Sequence, residues 1–277
     1  MRHSRWFHRC WPPVWVLLLA PTWTGWTAPD ASTRPPHAAQ VLSNAIQQAT
    51  DRWQALSGPA AASSWVVRCR DGDRRRAWWT IGPDRITVDS RGDPNHDYVW
   101  LATREEFGDF VLEFEFRVPR GTRGNSGVQF RSRYDEVSGW MDGPQVDLHP
   151  PGPWRTGFIY DETRGVQTWI APRLARVGDA RPELARAVAS WFWADDEQNV
   201  WNRMRIAVVG GRVVVELNGT IVQDADLAPV LWDEIHQRRN VGRRGCIALQ
   251  LHARDELFLE FRNIRIAHLD VPPGGSP

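Results

Sequence analysis

The hydrophobic pattern changes period along the chain. Between positions 38 and 56 the apolar residues Val41, Leu42, Ala45, Ile46, Ala49, Trp53 and Leu56 recur every three or four residues. That spacing predicts an amphipathic N-terminal helix, stopped by Gly58 and Pro59. From Trp65 onward a two-residue period takes over, the mark of strands whose successive side chains point to opposite faces. The run 111–118 (VLEFEFRV) puts Leu112, Phe114, Phe116 and Val118 on one face. Runs 203–209 and 212–217 meet at Gly210–Gly211, and Asn218–Gly219 leads into 220–223, both tight hairpin signals. Ile247, Leu249 and Leu251 alternate with Ala248, Gln250 and His252, and a last strand covers about 257–267. Many short strands with hairpin turns and few helices predict an all-β antiparallel sandwich or barrel over 65–270. One segment breaks the pattern: 172–198 contains a helical stretch, 182–193, ending in Trp191, Phe192 and Trp193. It reads as a helical insertion between strands, either capping a cleft or decorating the surface.

The alternation carries unusual cargo between Asn125 and Arg164. In NSGVQFRSR, Val128 and Phe130 face one way and Gln129, Arg131 and Arg133 the other. In GPQVDLH, Val146 and Leu148 oppose Gln145, Asp147 and His149, and TGFIYDETRG follows. A row of Gln, Asp and His beside a row of Gln and Arg predicts the polar floor of a binding cleft.

Composition removes several alternatives. A net charge of +1 gives no field for nucleic acid or an anionic membrane. The chain contains no Lys, which excludes a Schiff-base or P-loop lysine, and its 17 Trp offer faces for stacking on sugars as well as core. The N-terminus reads as a secretory signal over 1–28: Arg2, Arg5 and Arg9 precede a short apolar run, 14–20, and small residues near Thr27 and Ala28 suit cleavage. The rival reading is an uncleaved N-terminal anchor; with export the expected location is periplasmic or secreted, with no membrane span left after processing. A Pro-rich linker (29–37) and the N-terminal helix precede the β domain, and 271–277 is an expected disordered tail. Cys69 and Cys246 remain in the mature chain, either as one disulfide or as two separate thiols.

NSGVQFRSR, the G-x-Q-V-D run, YDETRG, and IALQLH followed by FRNIRI together resemble the 3-keto-disaccharide hydrolase family, whose domains are described as 3-keto-glucoside 1,2-lyases and 3-keto-2-hydroxy-glucal hydratases. The resemblance runs from about Trp78 to Leu269 and implies a concanavalin A-like jelly-roll β-sandwich. The family's Phe-Asn-Gly-Lys opening is not recognisable before Trp65, the 172–198 segment is longer than usual, and His149-Pro150-Pro151 stands where many members have Gly. The resemblance also implies a glycoside or oligosaccharide substrate oxidised at C3, and so a partner sugar 3-oxidoreductase.

Such chemistry needs a base for the acidified C2 hydrogen, an oxyanion stabiliser and an acid for the leaving group. Asp147 is the first candidate base, with a salt bridge to Arg131 as its structural alternative. His252 is the second, or a metal ligand, or a structural histidine. Arg131 can hold the oxyanion, neutralise Asp147, or both. Glu162 is the candidate acid and Tyr160 its competitor, unless the segment is a turn closed by Asp161 and Thr163. Gln129, Gln145, His149, Tyr160, Arg164 and Gln250 are candidate sugar ligands, while Asn125 is expected to shape the turn. A divalent ion on Asp147, His149, His252 and Glu162 is compatible with the residue types, but no tight ligand spacing supports it. Two other classes compete. One is a conventional glycosidase using paired carboxylates, for which Glu113 and Glu115 are superficial candidates; the other is a carbohydrate-binding module without turnover.

Overall fold

The computed structural model describes residues 36–176, 191–193 and 200–269. The expected signal segment, most of the linker, most of the insertion helix and the C-terminal tail lie outside these residues. Helix α1 (Pro36–Gln48) ends earlier than the periodicity predicts. Turns at 49–52 redirect the chain into a two-residue strand, so Trp53 and Leu56 are apolar without being helical.

In chain order the first strands are β1 (Gln54–Ala55), β2 (Trp65–Cys69), β3 (Trp79–Ile81), β4 (Ile86–Asp89), β5 (Val99–Thr103) and β6 (Phe110–Arg117). Then come β7 (Ser126–Asp135), β8 (Trp140–Asp142), β9 (Pro144–Leu148), β10 (Ile159–Asp161), β11 (Thr168–Ala171) and β12 (Arg173–Leu174). The hairpins β13 (Asn202–Val209), β14 (Arg212–Leu217) and β15 (Thr220–Asp226) follow. Short helices α2 (Ala228–Leu231) and α3 (Glu234–Arg239) lead to β16 (Cys246–Leu251) and β17 (Phe258–His268).

These strands form two antiparallel sheets. One has the order β15-β14-β13-β6-β17-β4-β3, with β1 beside β17; the other runs β12-β11-β10-β9-β7-β16-β5-β2, with β8 beside β7. The expected jelly-roll sandwich is therefore what the chain forms. Leu112, Phe114 and Phe116 of β6 pack against Val128, Phe130, Val146, Leu249 and Leu251 of the second sheet in one continuous core. The two predicted hairpins close where expected, and at Asn218–Gly219 both residues have positive φ (49° and 84°), as a type I′ turn requires. On the far side of the first sheet, α1 and the turn after it bury Ala38, Leu42, Ala45 and Ala49 against Val111, Ala207, Val214 and Ala267. That leaves the outer face of the second sheet for other work. Of the expected insertion helix only Trp191, Phe192 and Trp193 are described. They are not helical, and Trp191 is buried against Phe116 and Trp154.

The alternation predicted for 128–133 breaks in the middle. Cys246 pairs with Ser132 and Ala248 with Gln129, so two residues of β7, Phe130 and Arg131, oppose one of β16. This is a β-bulge, and Arg131 sits in it with φ 49°. The extra residue moves every later side chain to the opposite face. Arg131 consequently leaves the row begun by Gln129. It is buried at the end of the sandwich, where Nη2 donates to Asp109 at 2.6 Å and Nε and Nη1 donate to the carbonyls of Gly108, Gly210 and Gly242. Burial pulls its guanidinium down to about 10, opposed by the Asp109 charge. The expectation that Arg131 pairs with Asp147 or holds an oxyanion is corrected: it fastens the hairpin loop at Gly210 and the 242 loop to the sheet.

Cys69 is buried in the sandwich core, while Cys246 contacts Met141 on the outer face; both are free thiols, the second of the two alternatives.

Candidate active site

Cross-strand pairing builds the site in rows. Directly paired residues share a face, so Gln129 (β7), Gln145 (β9), Tyr160 (β10) and Trp169 (β11) line up across the outer face of the second sheet. The next row carries Trp100 (β5) with Gln250 (β16), and Gly127 (β7) with Asp147 (β9). Gly127 has a specific duty there: a Cβ on it would lie 2.2 Å from the Gln145 side chain, which crosses the strand at that point. Beside the rows, Trp100, Ala102, Met141 and Ala248 form a small apolar base with Tyr98 and Trp140 packed on it.

A cleft of about 210 Å³ opens over this face. It brings together Asp147, Glu162, His252 and Tyr160, as the pattern predicted, and adds Tyr98, Asn125, Trp140, Arg155, Gln167 and Trp169. Asp147 is buried. Its Oδ1 accepts from the Gln145 amide at 3.2 Å. Its Oδ2 lies 2.9 Å from Nε of Arg155, an ion pair whose N–H is not aimed along the contact. Burial raises the Asp147 carboxyl to about 6, with Arg155, Gln145, Asn125 and His252 all pulling the other way. Glu162, also buried, rises further, to about 7, first through burial and then through the Asp147 charge, against the opposing pull of His252 and Gln250. One cleft thus holds two carboxyls in mutual repulsion, the more acidic of them beside a guanidinium.

His252 bridges two partners. Its Nε2 is 3.1 Å from the Tyr98 hydroxyl, and its Nδ1 faces Asp255 Oδ2 at 3.2 Å and the Ala253 carbonyl at 3.1 Å. Burial alone would lower the imidazole, but the Asp255 hydrogen bond and charge leave it raised. Aromatic rings wall the cleft: Trp140 meets Tyr98 edge-on at 4.9 Å and Trp169 meets Tyr160 edge-on at 5.0 Å. Several buried polar atoms on this face have no hydrogen-bond partner among the described residues, including Asn125 Oδ1, Gln129 Oε1, Gln145 Oε1 and Gln250 Oε1. Buried acceptors left open together mark a surface shaped for a polar ligand.

Other sequence candidates lie elsewhere. Arg164 turns away to an ion pair with Asp142 and a second, at 2.6 Å, with Asp135. The alternation fails there because Asp161 Oδ1 accepts from the Thr163 amide at 3.0 Å, making a local turn, yet that turn still delivers Glu162 to the cleft. His149 is adjacent but does not line it: Nδ1 donates to the Pro150 carbonyl at 2.6 Å, and burial, with Arg155 nearby, lowers the ring to about 4. Glu113 and Glu115 are consumed in ion pairs with Arg205, Arg265 and Arg262 on the other sheet. Arg155 was missed because it sits in the aperiodic β9–β10 loop (HPPGPWRTGF), which folds back over Asp147 through the Gly157 amide on the Asp147 carbonyl. No signal short of that loop's conformation would find it. Among the described residues no group of three His, Cys, Asp or Glu side chains is arranged to hold a metal ion, and Arg155 against Asp147 opposes a cation there. Nor is any described helix long and apolar enough to cross a membrane.

Comparison with solved structures returns similar chains at low identity. A putative glycosyl hydrolase from Parabacteroides distasonis is 17% identical, covering 79% of this chain and 100% of its own, with a TM-score of 0.49. The carbohydrate-binding module CBM66 from Bacillus subtilis is 14% identical over 74% of this chain and 95% of its own, TM-score 0.45. A Bacillus subtilis protein of unknown function with a galectin-like fold is 11% identical over 78% and 94%, TM-score 0.47. No protein of curated function matches the sequence. The profile of the 3-keto-alpha-glucoside-1,2-lyase-like domain matches residues 38–267, most of the chain and all but the last residue of the two sheets. The chain belongs to that family.

Proposed function

We propose that the cleft cleaves 3-keto-glycosides by removing the C2 proton and expelling the glycosidic oxygen from C1. The observation that carries this reading is the pair of buried carboxyls facing one cleft, both raised by burial, with the Arg155 guanidinium set 2.9 Å from Asp147 and no ion-pair partner for Glu162 among the described residues. Near neutral pH Asp147 is the ionised partner and serves as base; Glu162 keeps its proton and serves as acid. Proton transfer from C2 to Asp147 leaves an enediolate across C2 and C3, and the Arg155 guanidinium is the cation nearest the developing negative charge. As the C3 carbonyl re-forms, the electron pair moves to C1–C2, the C1–O bond breaks, and Glu162 protonates the departing oxygen. Addition of water across C1=C2 turns the elimination into net hydrolysis. His252, in contact with Asp255 and Tyr98, relays protons for that second step in this reading. The open amide oxygens of Asn125, Gln145 and Gln250 are suited to sugar hydroxyls, and Trp140 and Trp169 to sugar faces.

The ketone must come from a sugar 3-oxidoreductase, because only oxidation at C3 acidifies C2–H. The N-terminal segment fits export to the periplasm or beyond, where oligosaccharides are met. The test is to incubate the mature protein with a 3-keto-glucoside and with its unoxidised parent and follow aglycone release. Release from the keto compound alone is expected. Release from the parent would show a conventional glycosidase using the same two carboxyls, and saturable binding without release from either would show a carbohydrate-binding module.

A further inference from the structure

Next to the catalytic cleft lies a larger one, about 610 Å³, walled by Arg91, Arg120, Arg123 and Arg254. Most of the described arginines are neutralised by a neighbouring carboxylate, as Arg131, Arg155, Arg164 and Arg205 are. Arg123 and Arg254 differ. Both are exposed at the cleft, and among the described residues neither guanidinium has a carboxylate or carbonyl partner. Arg120 lies over the Trp193 ring at 5.7 Å with no acid partner among the described residues, and Arg91 is paired with Asp89 and stacked 4.0 Å over Phe258.

The two acids in the cleft are engaged by internal donors. Asp255 Oδ2 accepts from the Asn125 amide at 2.7 Å and faces His252, while Glu256 accepts from the Gly92 amide at 3.0 Å. With Arg91 held by Asp89, the cleft presents among the described residues three guanidinium groups without an acid partner, Arg120, Arg123 and Arg254, against the two carboxylates Asp255 and Glu256, a small local positive excess.

The same contacts join the two clefts. Asp255 lines the arginine cleft and holds His252 of the catalytic one; Gly124 lines the first and Asn125 the second. Arg254 is set by its own backbone, with φ 64° and its amide on the His96 carbonyl at 3.1 Å, between His252 and Asp255. A glycoside seated over Asp147 and extending past His252 would meet these arginines. We infer that this cleft is an anion-recognising subsite, taking a carboxylate or sulfate group on a sugar unit attached to the one being cleaved; the inference rests on the catalytic reading of the adjacent cleft. Planar, permanently charged guanidinium groups suit such oxyanions through paired hydrogen bonds.

The test compares two 3-keto-disaccharides that differ only in the second sugar, glucose or glucuronate, using wild type and the double variant Arg123→Gln/Arg254→Gln. Both positions are exposed and outside the catalytic cleft, so turnover of the neutral substrate should stay unchanged. For wild type the expected result is a KM about tenfold lower for the acidic substrate, an advantage that shrinks with added salt and disappears in the double variant with kcat kept. A sulfated disaccharide in the same assay shows which anion is preferred. Equal KM for neutral and acidic substrates, or a preference unaltered by the double substitution, would overturn the subsite. Calorimetric titration with the unoxidised glucuronate disaccharide separates the two readings, since charge-dependent binding that vanishes in the double variant supports the subsite even if no keto-glycoside is turned over.

Discussion

Asp147 and Glu162 are both buried at one cleft, and the Asp147 charge makes ionisation of Glu162 more costly. Two consequences are measurable. Activity on a 3-keto-glucoside should follow a narrow bell between about 6 and 7, rising as Asp147 ionises and falling as Glu162 loses its proton. Replacing Arg155 by Gln should move the acidic limb upward by about one pH unit, because the cation that favours the Asp147 carboxylate is gone. A stability effect accompanies the kinetic one. A carboxyl whose folded pKa is raised favours the native state below its ordinary range, and that contribution is lost as pH climbs through the folded value, here about 7 for Glu162. Glu162→Gln should therefore gain on the order of 2 kcal/mol over wild type at pH 8 and nothing at pH 4, read from denaturant melts at both. The same variant should lose most activity on poor leaving groups and little on activated phenols, which need no proton.

At the scale of elements, one bulge decides which arginine can act. Period two assigned Gln129 and Arg131 to one face, correctly up to Gln129; Arg131 then takes the left-handed backbone and the remainder of β7 reverses. A sequence pattern cannot show a bulge, because the residue that makes it need not be glycine and here is not. Arg131→Met should destabilise the fold by about 3 kcal/mol, because it removes a buried guanidinium that ties three carbonyls and leaves the half-buried Asp109 with only the Gly210 amide, while kcat of the folded enzyme survives. Loss of kcat without loss of stability would return Arg131 to the chemistry. A second fastening escaped the pattern entirely. His236 of α3 is fully buried, with Nε2 at 2.8 Å from Asp161 and Nδ1 at 2.7 Å from Asp233, tying the helix behind the turn that presents Glu162. Burial lowers this imidazole, but the hydrogen bonds to Asp161 and then Asp233 leave it raised overall. Its clamp is fully present below the ordinary histidine pKa and is lost as pH rises through the raised folded value. The destabilisation caused by His236→Phe should accordingly be largest in mildly acidic buffer and shrink as the pH becomes alkaline.

At the scale of the molecule, the sandwich divides its labour. The inner faces of both sheets make the core, α1 covers the outside of one, and the outside of the other is left for the cleft. That division was legible in the chain, because strands with one apolar and one polar face, ended by Gly-Gly and Asn-Gly, leave few other ways to fold. The floor was legible too: Gln145, Asp147 and Gln250 lie on strands, where period two holds. What lies over the floor was not, since Arg155 comes from an aperiodic loop and Asp255 reaches His252 only through the turn at Arg254. The central claim, that this assembly removes the C2 proton of a 3-keto-glycoside through Asp147, is tested by running the reaction in D2O. Deuterium should appear at C2 of the sugar product with wild type, and both exchange and aglycone release should fall by at least about a hundredfold with a folded Asp147→Asn variant. Aglycone release with the original C2 hydrogen fully retained, or an Asp147→Asn variant that still exchanges at the wild-type rate, would contradict it.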